Sequence, residues 1–286
     1  MTFWNALFTN PLLIYALTAG LLASVVSGII GSYVVVKRIV FISGSIAHSI
    51  LGGIGLFIWL DRVHGITFLS PLFGALIAGV LSSLLIGWIH LFANEREDTV
   101  IAAVWSVGMA AGILFISQTP GFNVELMSFL IGNILWVTPQ DLVFLLILDL
   151  FVIVTVTLLH KRFLIICYDE EQAKLQGIHV TNLYLLLLAL IAISIVLLIQ
   201  IVGIVLVMTL LTIPAAVSAL FTNRLSMVMI TAIGISALLT TGGTVLSFHL
   251  DWPTGATIAL LAGATYLIAV LVPKKLAGNP PPIPTK

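Results

Sequence analysis

Nine apolar runs constrain this chain more than any other feature. Most have the length an α-helix needs to cross ~30 Å of hydrocarbon at 1.5 Å per residue. They extend over Pro11 to Val36, Ile39 to Leu60, Phe68 to Phe92, Val100 to Ser117, Leu142 to Leu159, Leu183 to Ile201, Val202 to Phe221, Met227 to His249 and Gly255 to Val272. The residues between them cannot coat a soluble globule, because 60% of the chain is apolar, 8% is charged and the mean hydropathy is +1.24. Lipid accepts an apolar exterior that water does not. Strands of an outer-membrane barrel would alternate apolar with polar residues, and no segment does so. The expected fold is all-α: a polytopic helical membrane protein with about nine transmembrane helices, forming a single domain over residues 1–286.

The cations orient these spans. With the amino terminus outside and nine crossings, Lys37, Arg38, Arg96, Lys161, Arg162, Lys174, Arg224, Lys274, Lys275 and Lys286 all fall in the cytoplasm, and Arg62 alone falls outside. That asymmetry is the positive-inside pattern of a multi-pass protein of the cell membrane. Val124 to Val137 is apolar but only fourteen residues long, short for a crossing, and reads as a re-entrant or broken helix with both ends outside. The first span is too long for a signal-peptide core and is expected to be retained. The Pro-rich end, 278–286, reads as a flexible tail.

Several function classes are excluded. Net charge is zero and no long basic run exists, so no nucleic-acid partner is expected. None of the six lysines follows a glycine, which rules out the GK[ST] ending of a phosphate-binding loop. There is no HExxH, no GxSxG and no paired-cysteine metal site; Cys167 is the single cysteine and reads as a packing residue. Any ATP-driven step must therefore reside on another polypeptide. No repeat of 20 to 50 residues and no correspondence between halves is found, against an inverted-repeat secondary transporter.

Polar residues inside this apolar sequence are the candidates for function. His48 is the tenth of 22 residues in the second span and Asp149 the eighth of 18 in the fifth, which places both near mid-membrane on spans running in opposite directions. Ionisable groups at that depth cost roughly 2.5–3.5 kcal/mol on insertion scales for Asp, so they face partners or a water-filled path. Ser43, Gly44, Ser45, Ser49, Gly52, Gly53 and Gly55 surround His48; such small residues permit close helix approach or a path along the helix face. Pro214 is expected to free a carbonyl in the seventh span and kink it. At the outer mouth, Asp61, His64, Glu125, Asp141, His249 and Asp251 stand against Arg62, an entrance able to concentrate a divalent cation or a set of ordinary solvated loop residues. Between the fifth and sixth spans, YDEEQAKLQGI (Tyr168 to Ile178) has acids at a helix amino terminus and Gly177 at its carboxyl cap. It reads as a short cytoplasmic helix, either a solvated loop element or a docking element for a cytoplasmic partner.

Six ordered blocks carry a resemblance: KRIVFISGSIAHSILGGIG at Lys37 to Gly55, EDTVIAAVWSVGMA at Glu97 to Ala110, FLIGNIL at Phe129 to Leu135, then YDEEQAKLQGI, VGIVLVMTLLTIPAA at Val202 to Ala216, and LSFHLDWPTGATI at Leu246 to Ile258. In these the chain resembles the permease subunits of bacterial and archaeal ABC importers for zinc and manganese, the ABC-3 permeases. The resemblance implies a transport permease rather than an enzyme, paired with a second permease copy in a homodimer. It also implies ATP-binding ABC subunits docked below and an extracellular or periplasmic metal-binding protein delivering the cargo. ATP would sit on the partner subunit, and no cofactor would be held permanently here. Residues 169–177 become the coupling helix, with Asp169, Glu170, Glu171, Ala173, Leu175 and Gly177 as its expected contact and capping residues.

His48 matches the family histidine, but the Asp that many members carry four residues earlier is Gly44 here. Either Asp149 replaces that carboxylate or the ion passes by His48, carbonyls and water, with Gly44, Ser45 and Ser49 lining the path and His249 and Asp251 as outer metal ligands. Imidazole suits zinc and oxygen-rich sites suit manganese, so zinc is favoured over manganese. Two other classes stay open: an ion-coupled secondary transporter using His48 and Asp149 as a proton relay, and an intramembrane hydrolase built on Ser236 and His249.

Overall fold

The computed structural model describes residues 3–66, 70–93, 96–121, 134 and 137–271. Helix boundaries follow local chemistry. A short α1 (Phe3–Thr9) precedes the first span, and α2 (Pro11–Val36) starts where the Asn10 side chain accepts the Leu12 N–H with Pro11 just inside. After a three-residue turn, α3 (Val40–His64) runs back and stops at Gly65, left-handed at φ 68°. Ser70 caps α4 (Pro71–Phe92), and α5 (Glu97–Ser117) returns. Thr138 and Asp141 form a reciprocal capping box at the start of α6 (Pro139–Tyr168). The short α7 (Glu170–Leu175) leads into α8 (Val180–Val202), which breaks at Gly203 before α9 (Ile204–Phe221). Then come α10 (Leu225–Leu250) and α11 (Thr254–Leu271).

Among the described residues, nine helices are long and apolar enough to cross a membrane, and they match the nine expected runs. The chain is thus a multi-pass, all-α membrane protein. The fifth run is longer than expected: α6 has 30 residues, about 45 Å of helix, and continues past His160, Lys161 and Arg162 to Tyr168. Those polar residues end the apolar run, not the helix, and Phe163 and Ile166 beyond them are buried. The helix α1 was absent from the sequence expectation. It holds its place by packing Phe3 edge-on to Phe248 of α10, ring centroids 5.5 Å apart. Pro214 lies inside α9, which continues through it. Of the short outer segment Val124 to Val137, only Ile134 and Val137 are described, both buried; Glu125 and the tail 278–286 lie outside the described residues.

Two groups of helices meet at α8. The central α2 packs against α6, α9 and α10, while α3 packs against α4 and α5, and α8 touches members of both groups. Small residues make these contacts close. A side chain at Gly28 would come within 2.7 Å of the Ile233 backbone nitrogen, and on α3 a Cβ at Gly55 would lie 2.8 Å from the Gly112 carbonyl oxygen of α5. Outward faces stay apolar, as at Leu114, Leu150 and Leu267, which suits lipid or another subunit.

Candidate functional site

Along α3, Ser45, Ser49 and Gly52 recur at a helical spacing and face α5. Ser45 Oγ donates to the Ile101 carbonyl at 3.0 Å, and a Cβ on Gly52 would lie 2.9 Å from the Gly108 carbonyl oxygen. His48 sits beside this strip. Its ring stacks on the Trp105 indole of α5, centroids 4.4 Å apart and planes 6° from parallel, and the indole Nε1 donates to Met109 Sδ at 3.0 Å. The imidazole Nδ1 is enclosed with no hydrogen-bond partner, and the residue as a whole is half-buried. The stack fixes the ring plane, and no group of the chain hydrogen-bonds Nδ1.

The residues expected to flank a path are enclosed within this chain. Ser45 and Ser49 are buried, with Ser49 Oγ donating to Ile46 at 3.0 Å, and Gly44 is buried with the Met208 methyl as the neighbour nearest to where its Cβ would be, 3.6 Å away. Asp149 is 5% exposed; it lies beside the Val26 backbone of α2, and its Oδ1 has no hydrogen-bond partner. No hydrogen bond or ion pair joins it to His48, whose helix packs mainly on α4 and α5 while that of Asp149 packs on α2 and α8. Within one chain, then, the two ionisable groups belong to different helix contacts.

At the opposite end from Lys37, His249 and Asp251 are exposed where α10 stops, Asp251 capping it in the left-handed region at φ 52°. His249 Nδ1 bonds the Val245 carbonyl at 2.8 Å. Asp251 lines a cleft of about 290 Å³ with Leu13, Thr244, Ser247, Phe248, Trp252 and Thr254. Asp141 is occupied in its capping box, and His64 meets the Trp59 ring edge-on at 4.5 Å. Among the described residues, no three His, Cys, Asp or Glu side chains converge on one point that could hold a metal ion.

The segment read as a short polar helix forms one. Asp169 caps α7 by accepting the Gln172 N–H at 2.8 Å. Gly177, at φ 73°, closes it with the Ile178 N–H donating to the Ala173 carbonyl and the Gly177 N–H to that of Lys174. Ala173 is fully buried and Leu175 is 89% exposed, while Glu171 is exposed and Glu170 half-buried. Sequence reasoning passed over Trp105 and Met109, although both stand in a block it singled out. It also passed over the G-x-x-x-G spacing of Gly108 and Gly112, which marks the face of α5 that meets α3.

Ser236 is enclosed within α10 with its Oγ unpartnered, and His249 is thirteen residues on (236 to 249), about 20 Å along the same helix. No nucleophile–base pair arises there, and a multi-pass bundle with single ionisable groups set between its helices has the character of a transport protein. The chain belongs to the ABC 3 transport family, whose description matches residues 9–273. It is 45% identical over 274 residues to a probable metal transport system membrane protein of Chlamydia trachomatis, covering 96% of this chain and 93% of that one. It is 30% identical to the manganese transport system membrane protein MntC of Halalkalibacterium halodurans, covering 93% and 89% respectively. Among solved structures it superposes on PsaBC from Streptococcus pneumoniae in complex with Fab, with a TM-score of 0.82, 26% identity and 96% of both chains covered.

Proposed function

We propose that this chain is the membrane-spanning permease of an ATP-driven importer for divalent first-row metal ions. A separate ATP-binding subunit docks at α7 on the cytoplasmic side, a metal-binding protein delivers the ion outside, and a second copy of the chain completes the pore. The observation that carries the reading is His48, an imidazole held by Trp105 between helices of a family transport fold and left without a hydrogen-bond partner at Nδ1. An ion passing between subunits would meet it briefly, and single ligands of this kind suit release as well as capture. The exposed Leu175 on an otherwise polar helix gives the ATP-binding subunit an apolar contact. The open apolar face of α5, including Val107, Ile113 and Leu114, is available to the second copy.

An imidazole with no carboxylate one turn earlier, position 44 being glycine, supports zinc as cargo. Manganese is the reading supported by the names of the 30% identical relatives. Permease, ATP-binding subunit and binding protein reconstituted into vesicles decide both questions. ATP-dependent uptake of one metal that excess of the other fails to suppress identifies the cargo. Uptake driven by a proton gradient without ATP would replace the proposal with the ion-coupled alternative using His48 and Asp149.

A further inference from the structure

The turn between α2 and α3 presents Lys37 to the foot of the bundle. It closes with the Ile39 N–H donating to the Val34 carbonyl at 2.9 Å and the Arg38 N–H to that of Val35 at 3.1 Å, with Arg38 left-handed at φ 62°. This is a Schellman ending built without glycine. Lys37, the last residue before that reversal, sends its side chain across to the junction of α6 and α7. There its Nζ donates to the Ile166 carbonyl at 2.8 Å, pairs with the Glu170 carboxylate and lies 5.6 Å from the centre of the Tyr184 ring on α8. The lysine side chain is 14% exposed and that of Glu170 29%.

Each of these contacts answers a requirement of the helices. Ile166 belongs to the last turn of α6, where carbonyls have no following N–H, and a cation both satisfies the oxygen and complements the negative helix end. Glu170 is the first residue of α7, where an acid complements the positive end. One partly buried ammonium therefore joins the end of α2, the end of α6 and the start of α7. The short α7 packs on α6 and α8, and α2 is the helix around which α6, α9 and α10 gather. Lys37 thus bonds the start of α7 to the end of the helix at the centre of the bundle.

We propose that Lys37 is a positioning residue that transmits movement of α7 to α2 and so couples ATP hydrolysis to transport; this rests on the reading of α7 as the docking site of the ATP-binding subunit. The test uses the reconstituted complex and reads three quantities: retention of the ATP-binding subunit, ATP hydrolysis, and metal taken up per ATP. Lys37→Gln, outside the docking helix, should retain the subunit and its hydrolysis while uptake per ATP falls by about fivefold or more, the range of an allosteric coupling energy, and Glu170→Gln should lower the same ratio, read per subunit retained. Lys37→Arg, which keeps the cation and its donors, should stay near the wild-type ratio. A lysine that only caps α6 would leave that ratio unmoved in Glu170→Gln, because the bond to Ile166 survives there; an unchanged ratio in Glu170→Gln overturns the proposal even if Lys37→Gln fails to fold. Leu175→Asp separates the two layers. If it leaves subunit binding and uptake intact, the docking reading fails; if it strips the subunit while Glu170→Gln transports normally, only the Lys37 proposal fails.

Discussion

Replacing Gly108 with alanine tests whether the close approach of α3 and α5 supports the His48 site. A methyl there would stand 2.5 Å from Ser49 Cα and 2.6 Å from Ser49 Cβ, whereas ordinary contact begins near 3.4 Å, so the helices must separate by about 1 Å. Overpacking of this kind costs ~1–3 kcal/mol, and alanine recovers roughly 0.5–1 kcal/mol by its better helix propensity, leaving a net loss of roughly 0–2.5 kcal/mol, centred near 1. At roughly 2–4 °C per kcal/mol, thermal unfolding in detergent should fall by several degrees. Ser49 is adjacent to His48, and Trp105 lies one turn before Gly108, so the same wedge loosens the 4.4 Å stack. Displacements of ~1 Å at a reacting group can cost on the order of 100-fold, and uptake should drop about tenfold or more. The matched control is Gly263→Ala on α11, where no atom lies within 4 Å of the added methyl and the melting temperature should hold or rise. Equal melting temperatures for the two variants, or wild-type uptake by Gly108→Ala, would refute the reasoning.

His48→Ala should abolish or greatly slow metal uptake while the complex still assembles, measured by uptake and size-exclusion chromatography; uptake at the wild-type rate removes His48 from the permeation path. Asp149→Asn, beside Val26 and not joined to His48, should spare uptake far more than His48→Ala, and an equal loss in both would revive the pairing across subunits. A Cβ at Gly44 would meet only the Met208 methyl, at 3.6 Å, and Gly44→Asp would set a carboxylate one turn before the imidazole. The expected outcome is manganese uptake raised relative to zinc in competition assays, and an unchanged ratio counts against metal contact at this turn. In a chain with Cys167→Ser, reagents applied outside intact cells should label Asp251→Cys but not Lys161→Cys. Labelling of the latter reverses the orientation.

Span positions were legible because membrane crossing imposes length on an apolar run, and the run lengths survive in the sequence. The error at α6 shows what that signal contains. It reports hydrocarbon, so it stopped at Leu159, while the helix went on to Tyr168 as a stalk whose buried residues Phe163 and Ile166 follow three polar ones. The boundary at its other end could have been read, since Thr138, Pro139 and Asp141 spell a capping box. Caps also made α7 legible, with Asp169 and Gly177 taking the places expected of them. At seven residues, α1 is too short to show a period, and its position depends on Phe248 more than two hundred residues away.

The candidate site was harder to read because depth is one coordinate and helix azimuth is another. On a soluble helix polar residues mark the outer face, but lipid accepts leucine as readily as the core does, so that mark is erased. In α6 the buried Leu145, Leu148, Val152 and Val156 around Asp149 are no different in character from the exposed Leu146, Ile147 and Leu150 beside them. Nothing in the letters shows that Asp149 turns toward α2. On α3 size replaces polarity as the marker: Ser45, Ser49 and Gly52 are small because α5 approaches there, and Gly108 and Gly112 answer them from the other side. Reading that strip places His48 against α5 and beside Trp105, away from the contacts of Asp149. Equal depth therefore makes two ionisable groups comparable in cost, and only a shared face makes them partners.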